Sequence, residues 1–420
     1  MHPTAHRTLR LTVCSCAALV LGFQGPARAD DTATTGGGAL IYRVYLPSGS
    51  PQSVPLPSVT ISYNDGRPSR TVAPCATGET ATRDTSGSAR SSCAWGLVVS
   101  GAQTADGHPV GLNVFYPDTT STYWVTFFPA DSAQTITVNG VYPDARYMSF
   151  NAYNMTGSSY TVNGKDSGLA DSVIAPDAGS INPWQQAGAA GGHFTVKLLA
   201  APPSDEVNTL PLPPAPDGST SSASLPLPCT GQACPPLDTF VRIDSGGLYP
   251  NVDNAYVSAL HVPQAGQVLV IRGKLPSTVD GTHPQPWPAG DTAMRYWSVC
   301  NNVYLPPYPV LGCADDDHVP VDAQGHYTIV TSAPADRPRN ATTEQGVVWL
   351  ANATWLPTAR HLVLIRNMLP NGFAPAVQNV PVNSSPAVKR SIMQAYYPRA
   401  WVCSTRRFEQ GGWQACQAGG

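Results

Sequence analysis

The sequence predicts an all-β fold with minor helix, built as two related β-sandwich or barrel-like domains joined by a Pro-rich linker. Short segments rich in β-branched and aromatic residues recur along the chain, mostly bounded by Pro, Gly, Asn or Asp. No 12-residue window keeps a 3.6-residue apolar period. Five short blocks occur twice in the same order, on either side of residues 201–237, which hold ten prolines.

The individual strands follow from these segments. We predict strands at 122–128, 134–138, 147–153, 193–198, 267–272, 327–331 and 361–366. The repeated blocks include Tyr116-Pro117-Asp118 with Tyr249-Pro250-Asn251, Arg146-Tyr147 with Arg295-Tyr296, and Ala170-Asp171 with Ala314-Asp315. The sequence therefore divides into a first β domain at 30–200, a Pro/Ser-rich linker at 201–237 and a second β domain at 238–420.

Charge and the N-terminus indicate where the protein acts. The formal net charge is −3, from 24 Lys+Arg and 27 Asp+Glu, which gives no electrostatic support for binding nucleic acid or an anionic membrane. Residues 1–29 are typical of a signal peptide, with Arg7 and Arg10 before an apolar run and a small-residue cleavage site. We expect a secreted, extracellular protein with no membrane span. Four lysines against twenty arginines are typical of a GC-rich bacterial genome.

Eight cysteines follow the predicted signal peptide, and an even number in an exported chain indicates disulfides. They fall into four pairs that are close in sequence. Nearest-neighbour bridging is our prediction, although the sequence leaves other pairings open. The predicted disulfides are Cys75–Cys93, Cys229–Cys234, Cys300–Cys313 and Cys403–Cys416.

The second half resembles a family of uncharacterised, mostly bacterial proteins. The resemblance rests on Arg295-Tyr296-Trp297-Ser298, on the strand that contains Pro250-Asn251 and ends at Tyr256, and on Trp355-Leu356-Pro357 leading to Arg366. It covers residues 240–370, and 116–198 through the repeat. The resemblance implies a β-rich fold and export, and it implies no established reaction.

Arg146 and Arg295 stand at equivalent places in the two copies, each directly before a Tyr. One interpretation is an arginine fork that binds a carboxylate or sulfate ligand. The alternative is a charge that is paired within its own domain, with Asp171 and Asp315 as the simplest partners.

An acidic cluster follows Cys313. Asp315, Asp316 and Asp317 are adjacent, and Asp322 lies nearby. Because neighbouring carboxylates repel each other and calcium prefers oxygen ligands, one interpretation is a calcium site at these four residues. The alternative is a solvated acidic turn behind the Cys300–Cys313 disulfide.

Candidate catalytic residues are those that one copy has alone. Asp253 and His261 qualify, since Thr120 and Phe128 stand at the equivalent places. With Asp315 they would supply general acid–base chemistry, and a structural role is the alternative. The sequence contains no Gly-x-Ser-x-Gly elbow, zinc-protease motif or Walker loop.

Two tryptophans are candidate ligand contacts. Trp287 lies in a Pro-rich insertion at 277–292, where we expect a surface loop. Trp297 would offer a ring to a ligand, although burial in the core is the favoured interpretation for Trp297 and for Trp355.

The leading interpretation is a secreted, disulfide-stabilised protein that binds an extracellular ligand, namely a carbohydrate, an envelope component or a small organic acid. The first alternative is a secreted hydrolase or lyase with its site in the second domain or between the domains. The second is an envelope-associated structural protein. Calcium is the one cofactor that the sequence indicates.

Overall fold

A computed structural model describes most of the chain. The described residues are 37–46, 54–75, 93–129, 131–154, 156–188, 191–214, 239–242, 249–279, 281, 283–356 and 359–418. The predicted signal peptide, the Cys229–Cys234 pair and linker residues 215–238 lie outside them.

The fold is all-β with minor helix, as predicted. Residues 37–214, here called the first unit, hold strands β1 (Gly37–Tyr45), β2 (Ser58–Tyr63), β3 (Arg70–Val72), β4 (Leu97–Ser100), β5 (Ser121–Pro129), β6 (Gln134–Val141), β7 (Tyr147–Asn154), β8 (Thr161–Val162), β9 (Lys165–Asp166), β10 (Gly168–Ala170), β11 (His193–Leu199) and β12 (Thr209–Pro211). A 3-10 turn at Asp171–Val173 follows β10.

Residues 239–418, the second unit, contain the remaining elements. Their strands are β13 (Asn254–His261), β14 (Gln267–Lys274), β15 (Met294–Val303), β16 (Val310–Asp315), β17 (His326–Ser332), β18 (Val348–Ala351), β19 (His361–Pro370) and β20 (Arg399–Ser404). The helices are α1 (Pro386–Met393) and α2 (Thr405–Gln417), with 3-10 turns at Pro334–Asp336, Thr343–Gln345, Val377–Asn379 and Gln394–Tyr396.

Each unit packs two sheets face to face. In the first unit the strand orders are β10-β7-β1-β5-β4 and β12-β11-β6-β2-β3, and in the second they are β13-β19-β15-β16 and β18-β17-β14-β20. A hydrophobic core fills the space between the sheets of each unit, because alternate residues of every strand point inward. All seven strands predicted from sequence are present.

The two units meet through one sheet of each. In each unit, one sheet turns the face that is not packed in the unit's own core toward the other unit. We call these two sheets, β10-β7-β1-β5-β4 and β13-β19-β15-β16, the inner sheets. A small aromatic cluster joins them, made by Tyr45 and Tyr147 of the first unit with Tyr296 and Met368 of the second. The other two sheets are outer sheets, and α2 covers one of them through Phe408 and Cys416.

The predicted linker begins too early at residue 201. Thr209–Pro211 forms β12, which pairs in parallel with β11 at the edge of the outer sheet. Leu210 and Leu212 are buried in the core of the first unit. Pro211 is tolerated there because an edge strand needs fewer backbone donors.

Disulfides connect neighbouring elements. The structure contains Cys75–Cys93, Cys300–Cys313 and Cys403–Cys416, as predicted. Cys300 and Cys313 face each other on β15 and β16, and Cys403–Cys416 joins β20 to α2. Among the described residues, no helix is long and apolar enough to cross a bilayer.

Candidate functional site

Arg146 and Arg295 are completely buried between the inner sheets, and each one pairs with a carboxylate of the other unit. The Arg146 guanidinium donates to both carboxylate oxygens of Asp316, and its Nη1 donates to Asp317 Oδ2 at 3.1 Å. Arg295 Nη2 donates to Asp171 Oδ2 at 3.1 Å. Both partners therefore lie across the interface rather than within the same unit.

The same two arginines also bond to each other's backbone. Arg146 Nε donates to the carbonyl oxygen of Arg295 at 3.2 Å, and Arg295 Nε donates to that of Arg146 at 3.0 Å. The carboxylates are held equivalently, because Asp171 accepts from the backbone N–H of Met148 and Asp316 from that of Trp297. Such reciprocal contacts are typical of an interface with twofold character.

Burial dominates the electrostatics of these pairs. It raises the pKa of Asp171 to about 6, against the opposing effect of Arg295. It also raises the pKa of Asp316 to about 6, against that of Arg146. Burial lowers the pKa of Arg295 from its ordinary value. Because each charge already has a fixed partner, these arginines form part of the interface between the units.

The acidic residues predicted to hold calcium are divided among different partners. Asp316 and Asp317 bind Arg146, Asp315 Oδ1 lies 2.7 Å from His318 Nδ1, and Asp322 pairs with Arg272. Burial raises the pKa of Asp315, and His318 opposes that rise. These carboxylates are thus compensated by basic side chains.

The structure does not bring together the predicted acid–base residues. Asp253 precedes β13 and accepts a hydrogen bond from the Tyr147 hydroxyl across the interface. His261 ends the same strand, and eight residues of extended chain span about 26 Å. Asp315 ends β16 beside His318, so it belongs to a third environment.

The tryptophans differ in exposure. Trp297 is 3% exposed and packs against Tyr327 in the core of the second unit. Trp287 is half-buried, donates its backbone N–H to the Trp184 carbonyl at 2.8 Å and lies beside the guanidinium of Arg295. Trp355 was expected in the core but is 63% exposed.

A third buried ion pair, between Asp118 and Arg366, was not predicted from sequence. Asp118 accepts hydrogen bonds from Tyr296 and Ser298, at 3.0 and 2.7 Å, and from Arg366. Its oxygen also lies near the Cys300 and Cys313 sulfurs, but these are joined in a disulfide. The sequence signal was the Asp in Tyr116-Pro117-Asp118, which the predicted repeat aligns with Asn251.

The second unit carries an open groove of about 380 Å³ near its C-terminal elements. Its lining residues are Thr239, Phe240, Arg390, Tyr397, Pro398, Arg399, Ala400, Trp401 and Gln417. The Arg390 guanidinium lies 5.8 Å from the Tyr397 ring centroid, and the Tyr397 hydroxyl donates to the Phe240 carbonyl at 2.8 Å. Neither Arg390 nor Arg399 forms an ion pair within the described residues, and neither was singled out from sequence.

Comparisons with known proteins add little. No family model matches the chain, and no curated protein matches it. A crystal structure of an uncharacterised protein from Burkholderia cenocepacia is similar over 65% of this chain and 77% of its own, at 13% identity and a TM-score of 0.35. That score carries no argument. The family resemblance of the second half stays a prediction.

Proposed function

We propose that this protein is exported and binds a small organic acid in the groove between α1 and β20. The observation that carries the proposal is the pair of exposed arginines, Arg390 and Arg399, beside the rings of Tyr397 and Trp401 in a space of about 380 Å³. Ligand sites of this size combine apolar walls with a few polar groups that fix orientation. Guanidinium groups match the geometry of a carboxylate.

Export is the second part of the proposal. Support comes from the predicted signal peptide at 1–29 and from the three disulfides, which persist in oxidising compartments. A bacterial source is supported by the composition. An extracellular ligand-binding protein would combine these features with the groove.

The third part is an internal repeat with rearranged strand order. In support, Arg43 of β1 faces Tyr123 and Ser149, and Arg366 of β19 faces Tyr256 and Ser298. The strands β1 and β2 begin the first unit, whereas their equivalents β19 and β20 end the second. The units would therefore be circular permutants of one another. This alignment of the two units makes Asp171 equivalent to Asp316, whereas the repeated sequence blocks match Asp171 with Asp315.

Binding in the groove is tested with the full-length protein by isothermal titration calorimetry. The probes are aromatic and aliphatic monocarboxylates and uronic acids, with neutral sugars alongside. We expect micromolar to millimolar binding of at least one acid. The variant R390Q/R399Q should lose at least tenfold in affinity, because the two positive charges that attract the carboxylate are gone.

The matched control is R70Q, an exposed arginine on β3 of the first unit. It should bind like the wild type. Binding of neutral sugars alone would contradict an acidic ligand. Unchanged affinity in R390Q/R399Q would remove the groove from the proposal, and no binding across the panel would favour the structural alternative.

A further inference from the structure

One end of the core of the second unit is polar where the corresponding end of the first unit is apolar. Strand register defines the comparison: Gly38 faces Phe128 between β1 and β5, and His361 faces His261 between β19 and β13. The five corresponding positions are Gly38, Phe128, Ala152, Leu198 and Leu212 in the first unit and His361, His261, Asn301, Thr331 and Asn352 in the second.

The first unit fills this end as an ordinary hydrophobic core. A Cβ added to Gly38 would lie 2.8 Å from the Phe128 ring, so that ring covers the glycine. Phe128, Ala152, Leu198 and Leu212 all belong to one apolar cluster. The same fold therefore needs no polar side chain here.

The second unit buries polar groups at the same place. His261 is 4% exposed and His361 is 1% exposed. Thr331 is 1% exposed, and its hydroxyl has no hydrogen-bond partner among the described residues. Burying unsatisfied polar groups costs roughly 1–3 kcal/mol each. His361 Nε2 is likewise buried with no partner among the described residues, so two unpaired polar atoms make this end unfavourable for folding alone, which points to a use for it.

The hydrogen bonds around His361 fix its tautomer. Asn301 Nδ2 donates to the Ala351 carbonyl at 2.8 Å and to Asn352 Oδ1 at 3.0 Å. Asn301 Oδ1 is thereby left to accept from His361 Nδ1, 3.2 Å away. Nδ1 therefore carries the proton, and Nε2 presents its lone pair. That buried Nε2 has no partner among the described residues.

This arrangement is the one that metal-binding histidines adopt. A ligating imidazole usually donates its other ring N–H to a carbonyl or carboxylate oxygen, which fixes the ring and its tautomer. Directly opposed residues of antiparallel strands have Cβ atoms about 4.5–5.5 Å apart. Since a metal–imidazole bond is about 2 Å long, two opposed rings on one face can share an ion.

We propose that His261 and His361 bind a late first-row transition-metal ion, with Asn301 as the residue that positions His361. Imidazole nitrogens select copper or zinc rather than calcium or magnesium. Two protein nitrogens leave further coordination positions to water or to an exogenous ligand. The site is separate from the acidic residues 315–317 and from the groove.

The first experiment measures metal binding by the full-length protein in equilibrium dialysis against Cu²⁺ or Zn²⁺. We expect one tightly bound ion per chain, and none of comparable affinity for Ca²⁺ or Mg²⁺. The variant H261F/H361G, which installs the Phe128–Gly38 pair of the first unit, should lose that ion. The control H318Q/H326Q removes two other histidines and should retain it.

Asn301 has its own prediction. Loss of such a supporting hydrogen bond lowers metal affinity by about 10- to 100-fold, so N301A should bind more weakly while keeping one site. A purely structural Asn would lower stability without changing the affinity of the folded fraction. Circular dichroism of each variant separates these two outcomes.

If a variant fails to fold, a spectroscopic measurement on the wild type still tests whether both histidines bind the metal ion. Electron paramagnetic resonance of the Cu²⁺ complex should show superhyperfine coupling to two imidazole nitrogens. Absence of a bound ion in the wild type, coupling to fewer than two imidazoles, or undiminished binding by a folded H261F/H361G would each overturn the proposal.

Discussion

Removing the Arg146 side chain would leave the buried Asp316 carboxylate without its positively charged partner. Asp316 is buried beside it and has no route to full hydration, so the cost of a deletion comes mainly from the uncompensated carboxylate. Position 43 offers a contrast, because Arg43 donates to Asn151 and to the Tyr249 carbonyl rather than to a carboxylate. At the residue scale, the interface thus pairs the buried guanidinium of Arg146 with carboxylates and that of Arg43 with neutral oxygen acceptors.

The substitution R146A should lower the free energy of unfolding by about 3–5 kcal/mol, the usual cost of breaking a buried ion pair. Urea denaturation measures it. The matched control is R67A, whose exposed guanidinium pairs with Asp65 and Asp131. An exposed pair contributes about 0–1 kcal/mol. Equal effects of the two substitutions would contradict a buried, energetically coupled Arg146.

Asp171 gives a pH dependence with a defined sign. Its pKa is raised to about 6 in the folded protein, so the folded state binds a proton more tightly than the unfolded chain. The resulting stability is present at low pH and is lost as pH rises through 6. Relative to D171N, the wild type should gain about 1 kcal/mol between pH 6 and pH 5.

Urea denaturation of both proteins across that interval measures the difference. D171N removes the titrating group while Arg295 stays, which adds an offset that is independent of pH. The other titrating groups are shared by the two proteins and cancel. A wild type that loses stability relative to D171N on acidification would show that the attraction of Arg295 outweighs burial.

At the element scale, the sequence predicted strands well where β-branched and aromatic residues alternate between turn residues. The seven predicted strands did not include the others, among them β1, the central strand of the first unit's inner sheet, which lies close to the predicted signal peptide and outside the blocks of the predicted repeat. Neither α1 nor α2 was predicted. Each is short, and α2 contains Gly411 and Gly412 in non-helical conformations, so no long 3.6-residue period exists to detect.

The candidate site was harder to predict because its partners are distant in sequence. Arg146 and Asp316 are 170 residues apart, and their pairing depends on how two sheets face each other. Sequence patterns indicate where strands lie along the chain, as at 147–153 directly after Arg146. They do not give the arrangement of one sheet against another, so Asp171 and Asp315 were the natural partners to propose within each half.

Two disulfides close loops of equal length, but removing each one should change hydrogen exchange to a different extent. Cys300–Cys313 and Cys403–Cys416 each span 13 residues, and a loop of that size contributes about 3 kcal/mol in a chain-entropy model. Cys300 and Cys313 also lie in a strand ladder, whereas Cys416 holds the end of α2. Hydrogen exchange should therefore quicken in α2 of C403A/C416A more than in β16 of C300A/C313A.

Mass spectrometry of peptic fragments measures both exchanges against the wild type. The ladder between β15 and β16 keeps its hydrogen bonds when its disulfide is removed, so its amides should stay protected. Without its disulfide, the end of α2 keeps non-covalent contacts that lie outside any strand ladder, such as the packing of Phe408 and the Arg272 guanidinium 4.2 Å from the Trp413 ring centroid. Equal protection of α2 with and without Cys403–Cys416 would contradict this assignment.

For the whole molecule, the inner sheets should hold the two units together without a covalent connection. The interface combines the Arg146–Asp316 and Arg295–Asp171 pairs with the Tyr45–Tyr296 ring contact, whose centroids are 5.1 Å apart. These groups are buried only while both units are present. An isolated unit would expose them to water and lose the partner of each buried charge.

We therefore expect chains 30–214 and 239–420, produced together as separate polypeptides, to form a one-to-one complex. Analytical ultracentrifugation measures it. D171N/D316N should weaken the complex at least tenfold, because Arg295 loses its carboxylate partner across the interface and Arg146 loses the carboxylate that it binds through two oxygens. D322N, which removes an ion pair with Arg272 inside the second unit, is the control and should leave association unchanged. Units that stay folded and monomeric when mixed would show that the linker, rather than this interface, keeps them adjacent.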